Sequence, residues 1–301
     1  MAAMKQQPLR GEMLFDVPLS GYTSWRVGGV AKRLYRPADS SDLVDFLQRL
    51  NAEEPLLWLG LGSNLLVRDG GFNGTVVSTL GCLERLQMQP DGFLCSEAGV
   101  SCAKVARFAA RQGRVGIEFL AGIPGTMGGA LAMNAGAFGG ETWTAVAWVE
   151  TVDRQGCVHR RDRSQFEIGY RRVKGTDGEW FLAAGLQTEP GDVSAGQQKI
   201  KRLLARRSET QPIGLPSCGS VFRNPEGDYA ARMIESLGLK GERIGGAVVS
   251  EKHANFIINT GDATASDIES LINLVRDRVE EASGVRLQPE VHMVGDRERK
   301  K

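Results

Sequence analysis

The chain has 301 residues, 42% apolar and 24% charged, ordinary proportions that exclude a disordered or fibrous protein. Lys and Arg number 37 against 36 acids, so a net charge of +1 gives no global argument for a nucleic-acid partner. No apolar run approaches the ~18–20 residues of a membrane span, and 1–10, with Lys5 and Arg10 but no apolar core, do not read as a secretory signal.

Residues 1–12 read as a loose tail. Leu43, Phe46, Leu47 and Leu50 fall at helical spacing and predict a helix over Ser41–Leu50, started by Pro37 and Ser40–Ser41. The apolar strand Pro55–Leu59 leads at once into a glycine turn, and Gly74–Val77 and Phe93–Ala98 read as further strands. Cys102, Val105, Ala106 and Ala109 form a second helical stripe that ends at Gly113. A glycine-rich stretch runs from Gly116 to Gly140. Ala145–Asp153 and Val158–Arg160 read as a hairpin, and Phe181–Thr188 as a strand.

The turn at Glu189-Pro-Gly-Asp192 marks a domain boundary, giving domains at 15–190 and 195–301. Beyond it come a basic helix (Ser194–Arg207), a loop (Gln211–Ser220), and a helix with Ala230, Met233, Ile234 and Leu237 inward, stopped by Gly238. A strand at Asn255–Asn259 follows. The last helix turns Ile268, Leu271, Ile272, Val275 and Val279 to one face, with Ser266 and Glu269 as a capping box, and Glu290–Val294 reads as the final strand. Strands and helices mix throughout, so the class is α+β or α/β.

Five cysteines in no CxxC pair suit a reducing compartment, and three scattered histidines without HExxH point to no metal site. The unusual count is glycine, 38 residues against the ~21 expected at an average share. Two clusters stand out. In Gly60-Leu-Gly-Ser-Asn-Leu65, the glycines Gly60 and Gly62 permit a sharp turn and Ser63 and Asn64 add donors. A phosphate-binding nest and a plain strand–strand turn both remain open, with Leu65 leading into apolar chain. The second runs Gly122-Ile-Pro-Gly-Thr-Met-Gly-Gly129 and on to Asn134. Glycine at this density is costly inside a helix or strand, so an ordered backbone against a ligand fits it, with a glycine-packed helix crossing as the alternative. Neither cluster is a Rossmann GxGxxG or a P-loop. Two loops sixty residues apart suit a ligand as long as a dinucleotide.

Seven segments in order carry a resemblance. They are Tyr22-Thr-Ser-Trp-Arg-Val-Gly-Gly29, Gly60-Leu-Gly-Ser-Asn-Leu-Leu-Val67, Gly122-Ile-Pro-Gly-Thr-Met-Gly-Gly129, Asn134-Ala-Gly-Ala-Phe-Gly-Gly-Glu141, Gly169-Tyr-Arg-Arg172, Cys218-Gly-Ser-Val-Phe-Arg-Asn-Pro225 and Leu287-Gln-Pro-Glu-Val291. Together, across about residues 15–295, the chain resembles the UDP-N-acetylenolpyruvoylglucosamine reductase (MurB) family. Only about ten residues separate Tyr170-Arg171 from the strand at Phe181, so it resembles the shorter, type II form. Phe138 stands where the family often has Tyr.

The resemblance implies an α+β fold: a two-subdomain FAD-binding domain of the vanillyl-alcohol-oxidase (PCMH) type, then a smaller α/β substrate-binding domain whose last strand returns toward the flavin. It implies FAD and NADPH as cofactors and a UDP-sugar as substrate, in cytoplasmic peptidoglycan precursor synthesis, with no nucleic-acid or membrane partner. The implied reaction converts an enolpyruvyl ether to a lactyl ether. Cofactor contacts fall on Gly60, Gly62, Ser63, Asn64, Leu65, Gly122, Ile123, Pro124, Gly125, Thr126, Gly128, Gly129 and Asn134.

Hydride addition to such an ether builds charge on the neighbouring carbon and its carboxylate, which calls for a cation and a proton donor. The resemblance places the donor on Ser220, the carboxylate partner on Arg171, and a role in holding or protonating the intermediate on Glu290. Arg172 adjoins Arg171, and on a strand the two would face opposite ways. Substrate contacts fall on Tyr170, Asn224, Lys240, His253 and Asn255. Cys218 reads as structural. Two rivals stand beside the reductase: an oxidase on the same flavin fold, and a UDP-sugar binder without flavin. The Ser220, Arg171 and Glu290 set speaks against the first and the two glycine loops against the second.

Overall fold

The computed structural model of the chain describes residues 8–175 and 177–298. Its regular elements include, in chain order, β1 (Glu12–Pro18), β2 (Val30–Arg36), α1 (Ser40–Arg49), β3 (Leu56–Leu59), β4 (Leu65–Val67), β5 (Phe72–Ser78), β6 (Leu86–Met88), β7 (Leu94–Glu97), α2 (Cys102–Arg111), α3 (Met127–Met133), α4 (Val193–Thr210), α5 (Ala230–Ser236) and α6 (Ala265–Ser283). The chain divides into two compact units that are not contiguous in sequence. One takes the residues up to Phe15, Arg33–Gly60 and Thr75–Val193; the other takes Asp16–Lys32, Leu61–Gly74 and the chain from Ser194.

In the first unit, β1, β2, β5 and β3 belong to one sheet in that order, with β3 and β5 parallel. A second, antiparallel sheet runs Val158–Asp162, Val146–Asp153, Glu179–Leu186, β7, β6. α1 begins at Asp39, whose carboxylate accepts from the Asp42 amide, the usual N-cap bond. Leu43, Phe46 and Leu47 go inward, and Phe46 stacks on Tyr35 with ring centroids 3.9 Å apart.

The expected loose tail is not loose from Arg10 onward. The buried Asp42 carboxylate accepts from the Arg10 amide (2.7 Å), the Tyr35 hydroxyl (2.6 Å) and the Ala38 amide (3.0 Å). Those bonds replace the water that a buried charge gives up, and burial, helped by the same bond to Asp42, holds the Tyr35 phenol well above its ordinary pKa. The Arg10 guanidinium pairs with Asp39 at 2.7 Å, and β1 follows directly.

The glycine-rich stretch also departs from expectation, because Met127–Met133 is a helix containing Gly128 and Gly129. A Cβ on Gly128 would lie 2.9 Å from that of Ala98, and the Gly128 amide donates to the Ala98 carbonyl at 2.9 Å. Close packing favours glycine here despite its low helix propensity, and Met127, Ala130 and Leu131 are buried beside it.

The core of the second unit gathers Trp25, Val27 and Leu66 with Val221, Phe222, Ile234, Ile257 and the inner face of α6. Trp25 is fully buried; its indole N–H donates to the Ile257 carbonyl at 2.8 Å, and Asn259 Nδ2 donates to the Trp25 carbonyl at 2.9 Å. These contacts draw 16–32 and 61–74 into this unit, where the sequence suggested one contiguous N-terminal domain. β4 pairs in parallel with His292–Val294, and Arg243–Ile244, Ala247–Val249 and Ile257–Asn259 form a three-stranded antiparallel sheet.

Two local expectations shift. Leu237 is exposed, and Leu239, past the left-handed Gly238, is the residue that goes inward. The capping box of α6 is Thr264 with Asp267, not Ser266 with Glu269, because Glu269 is held by Arg68 at 2.9 Å and by Arg297 at 2.9 Å. Asp69 adds a second cap, accepting from the amides of Ala265 and Ser266.

Trp25→Ala is expected to destabilise the second unit by about 3–5 kcal/mol, the range for emptying a buried aromatic site. Hydrogen exchange at Ile257–Asn259 with a urea titration followed by circular dichroism checks this. Unchanged protection there would remove Trp25 as the anchor.

Candidate functional site

In the first unit the second glycine loop is braced by its own backbone. The Cys102 amide donates to Gly125 O (2.9 Å), the Gly125 amide to Ile123 O (2.9 Å), and the Met127 amide to Val100 O (2.8 Å). Thus the amides of Gly125, Met127 and Gly128 are engaged by the protein's own carbonyls and hold the loop in shape, the ordered backbone expected of this stretch. Gly122 and Ile123 are buried, while Pro124 and Gly129 are exposed.

One hydroxyl in this loop is different. Thr126 Oγ1 is buried and has no hydrogen-bond partner, a state that costs about 1–3 kcal/mol. Gly60 lies against it, since a Cβ there would come within 2.3 Å of Thr126 Oγ1. An orphaned donor beside a glycine is what remains when the partner is a ligand oxygen, so these residues fit a phosphate-bearing cofactor such as FAD.

α3 ends at Asn134, which takes a left-handed backbone (φ 43°, ψ 51°) and is almost wholly buried. Its carboxamide faces the protein. Nδ2 donates to Glu141 Oε2 (2.8 Å) and to Gly169 O (3.1 Å), and Oδ1 accepts from the Trp143 amide (3.1 Å). Gly169 closes the hairpin Glu167–Gly169/Arg172–Lys174, so Tyr170 and Arg171 are its two-residue turn. Arg171 sits at φ 52°, a conformation costing a non-glycine residue roughly 1–2 kcal/mol. The alternation argument for Arg171 and Arg172 therefore does not apply: Arg171 is a half-buried turn residue and Arg172 an exposed strand residue. The Arg171 guanidinium carbon lies 5.5 Å from the centroid of the exposed Tyr170 ring, within cation–π range. Glu141, which tethers Asn134, was missed as a functional residue although it closes the quoted segment Asn134–Glu141.

In the second unit, residues 221–223 run antiparallel to 288–290. Phe222 bridges Pro289, the Glu290 amide donates to Val221 O at 2.7 Å, and the Arg223 amide donates to Gln288 O at 2.9 Å. Ser220, half-buried, is thereby set beside the segment that carries Glu290. The first glycine loop meets the same segment: Asn64 Nδ2 donates to Glu290 O (3.1 Å), and the His292 amide donates to Asn64 O (3.1 Å). Gly62 needs to be glycine, with φ 66° and a Cβ position 2.1 Å from Tyr22 O. Ser63 is half-buried and Leu65 buried. Burial and the Glu290 charge hold the Cys218 thiol well above its ordinary pKa, which keeps it neutral and unreactive.

The substrate-side candidates divide. Asn255 is buried and holds both backbone groups of Phe222, Oδ1 accepting from its amide (2.9 Å) and Nδ2 donating to its carbonyl (2.8 Å), so it supports the Ser220 segment. Asn224 Oδ1 accepts from the Ala230 amide at 3.2 Å, at the start of α5. Lys240 Nζ lies 2.5 Å from Glu235 Oε1. His253 packs on Phe256, and its Nδ1 accepts from the Asn255 amide at 3.3 Å. Among the described residues no group of three or more His, Cys, Asp or Glu is placed to hold a metal ion, and no helix is long and apolar enough to cross a membrane.

Comparison with known proteins adds to this geometry. The model of the UDP-N-acetylenolpyruvoylglucosamine reductase C-terminal domain matches residues 211–294, and an FAD binding domain model matches 31–162. Reductases of that name from Alkalilimnicola ehrlichii and Methylococcus capsulatus are each 60% identical to this chain over 98% of its length, and over 99% and 97% of their own. The crystal structure of the Thermus caldophilus enzyme superposes with a TM-score of 0.81 at 32% identity, covering 94% of this chain and 98% of that one. The chain thus carries an FAD-binding domain in an α+β fold.

Two expected outcomes follow from the site. Thr126→Val removes the orphaned hydroxyl at constant shape, so the flavin-free protein should keep or gain stability while FAD binds about tenfold more weakly, one lost hydrogen bond; equal FAD affinity in a titration would take Thr126 out of the cofactor site. The second concerns acid. Burial lowers the His253 pKa below its ordinary 6.5. The unfolded chain therefore binds the proton more readily, and the stability from neutral His253 is complete above pH 6.5 and lost as pH falls through the folded value. The urea midpoints of wild type and His253→Gln should converge on acidification from pH 7.5 to 5; a constant gap would refute this.

Proposed function

Because the chain belongs to the UDP-N-acetylenolpyruvoylglucosamine reductase family, a family of flavin-dependent oxidoreductases, we propose that it reduces UDP-N-acetylenolpyruvoylglucosamine to UDP-N-acetylmuramate. NADPH is the electron source, and the step belongs to peptidoglycan precursor synthesis in the cytoplasm. The observation that carries the reading is the ladder between 221–223 and 288–290, which sets Ser220 beside the segment bearing Glu290.

Gly60, Thr126 and the loop from Gly122 to Gly129 would hold FAD in the first unit. Bound there, a flavin supplies hydride-transfer chemistry that no side chain can. The remaining tasks fall to the chain. Arg171 holds the substrate carboxylate, because a guanidinium keeps its charge and presents paired donors to a planar oxyanion. Ser220 delivers the proton to the carbon that becomes carbanionic, and Glu290 holds or resupplies that proton. Tyr170, Asn224 and His253 contact substrate, and Lys240 exchanges Glu235 for the pyrophosphate. Asn134 and Asn255, whose carboxamides are engaged by the protein, act as supports.

Ser220→Ala is expected to leave reduction of the flavin by NADPH near wild type and to slow its reoxidation by the enolpyruvyl substrate ~10²–10⁴-fold, the usual loss for a missing general acid. Anaerobic stopped-flow at the flavin absorbance separates the two halves. Wild-type reoxidation in the variant would move the proton to Glu290, and a wild-type enzyme reoxidised by oxygen but indifferent to the sugar nucleotide would refute the reductase reading.

A further inference from the structure

We propose that Asn134, oriented by Glu141, is a positioning residue for the turn that carries Arg171, and that α3 ties this turn rigidly to the Thr126 loop. The proposal rests on the carboxylate role given to Arg171 above.

The Asn134 carboxamide can stand only one way round. Rotated by half a turn, its oxygen would face Glu141 Oε2 and Gly169 O, two acceptors, and its NH₂ would face the Trp143 amide, a donor. The Gly169 carbonyl and the Tyr170 amide share one peptide plane. The 3.1 Å bond from Asn134 to that carbonyl therefore fixes the plane by which the chain enters the turn. The turn needs such a hold, because Arg171 at φ 52° occupies a backbone region an arginine does not choose unaided. Relaxation of that φ would swing the guanidinium elsewhere. The other side of the turn is set by the pairing of Gly169 with Arg172.

The same asparagine caps α3, its amide bonded to Ala130 O and Leu131 O, and the N-cap of this seven-residue helix is Thr126. One short rod thus carries the orphaned hydroxyl at one end and the hold on the Arg171 turn at the other. Their separation is fixed by helix geometry and not by loop conformation.

The test is a double-mutant cycle on the flavin-loaded enzyme. Asn134→Gly keeps the left-handed backbone and removes only the carboxamide; it is crossed with Arg171→Ala. The readouts are anaerobic reoxidation of the reduced enzyme by UDP-N-acetylenolpyruvoylglucosamine, reduction by NADPH, and calorimetric substrate affinity. Asn134→Gly should slow reoxidation about a hundredfold, as a small misplacement of a reacting group does, weaken substrate binding, and leave the NADPH step near wild type. In the Arg171→Ala background it should change neither reoxidation nor affinity further. Equal losses in both backgrounds would overturn the positioning role while leaving that of Arg171 intact. Wild-type reoxidation in Arg171→Ala alone would overturn the reading beneath it.

Asn134→Asp gives a second route if the glycine variant loads no flavin. Its carboxylate cannot donate to Gly169 O, and the facing Glu141 raises its pKa. As pH falls the added carboxyl takes up a proton and donates again. Substrate reoxidation should therefore recover toward acid relative to wild type, and a pH profile parallel to wild type would overturn the proposal.

Discussion

A carboxamide removed from water must find partners for two N–H donors and a carbonyl, or the fold bears the loss of each unmade bond. Two asparagines set that constraint here, and the shape of both functional loops follows from it. Asn134 meets it with a side-chain carboxylate and two backbone groups, and so fixes the end of α3 and the base of the Arg171 turn. Asn255 meets it with both backbone groups of Phe222, and so extends a strand-like pairing onto the segment that begins at Ser220. Neither asparagine needs to touch a ligand to decide where chemistry is possible.

The helices α1, α2 and α6 were legible because each buries a stripe at helical spacing, a property of local sequence alone. α3 was not, since seven residues with two glycines do not form a helix by propensity; packing against Ala98 makes it. β1 escaped notice because its burial does not alternate, and β4 because three buried residues after a glycine turn carry no period. The α6 capping box shows the same limit. Thr264-Ala-Ser-Asp267 and Ser266-Asp-Ile-Glu269 both fit the pattern, and the choice is made by Arg68 and Arg297, distant in sequence. Motif order gave Arg171, Ser220 and Glu290 as candidates. The bond from Asn134 to Gly169 spans 35 residues and had no local signature. Treating Arg171 and Arg172 as strand neighbours failed because a two-residue turn intervenes.

The ion pair of Lys240 in the second unit is a weak one. The Lys240–Glu235 pair involves a well-exposed carboxylate, and exposed pairs of this kind contribute about 0–1 kcal/mol. The exchange of Glu235 for a pyrophosphate proposed for Lys240 would therefore cost little. Cys218 illustrates the opposite case, a thiol sealed beside a carboxylate where ionisation is disfavoured twice over.

The dispersed make-up of the second unit has a consequence for synthesis. Its core needs Trp25, Val27 and Leu66 as well as residues beyond 218, and the Trp25 indole bonds a carbonyl 232 residues downstream. At a translation rate of about 5–20 residues per second, that tryptophan leaves the ribosome roughly 10–50 s before its partner exists. During that interval a large apolar side chain belongs to no finished core. The nascent chain therefore presents a natural site for chaperone capture. A gene fragment encoding only the C-terminal hundred residues would yield a polypeptide lacking the wedge its own core is built around.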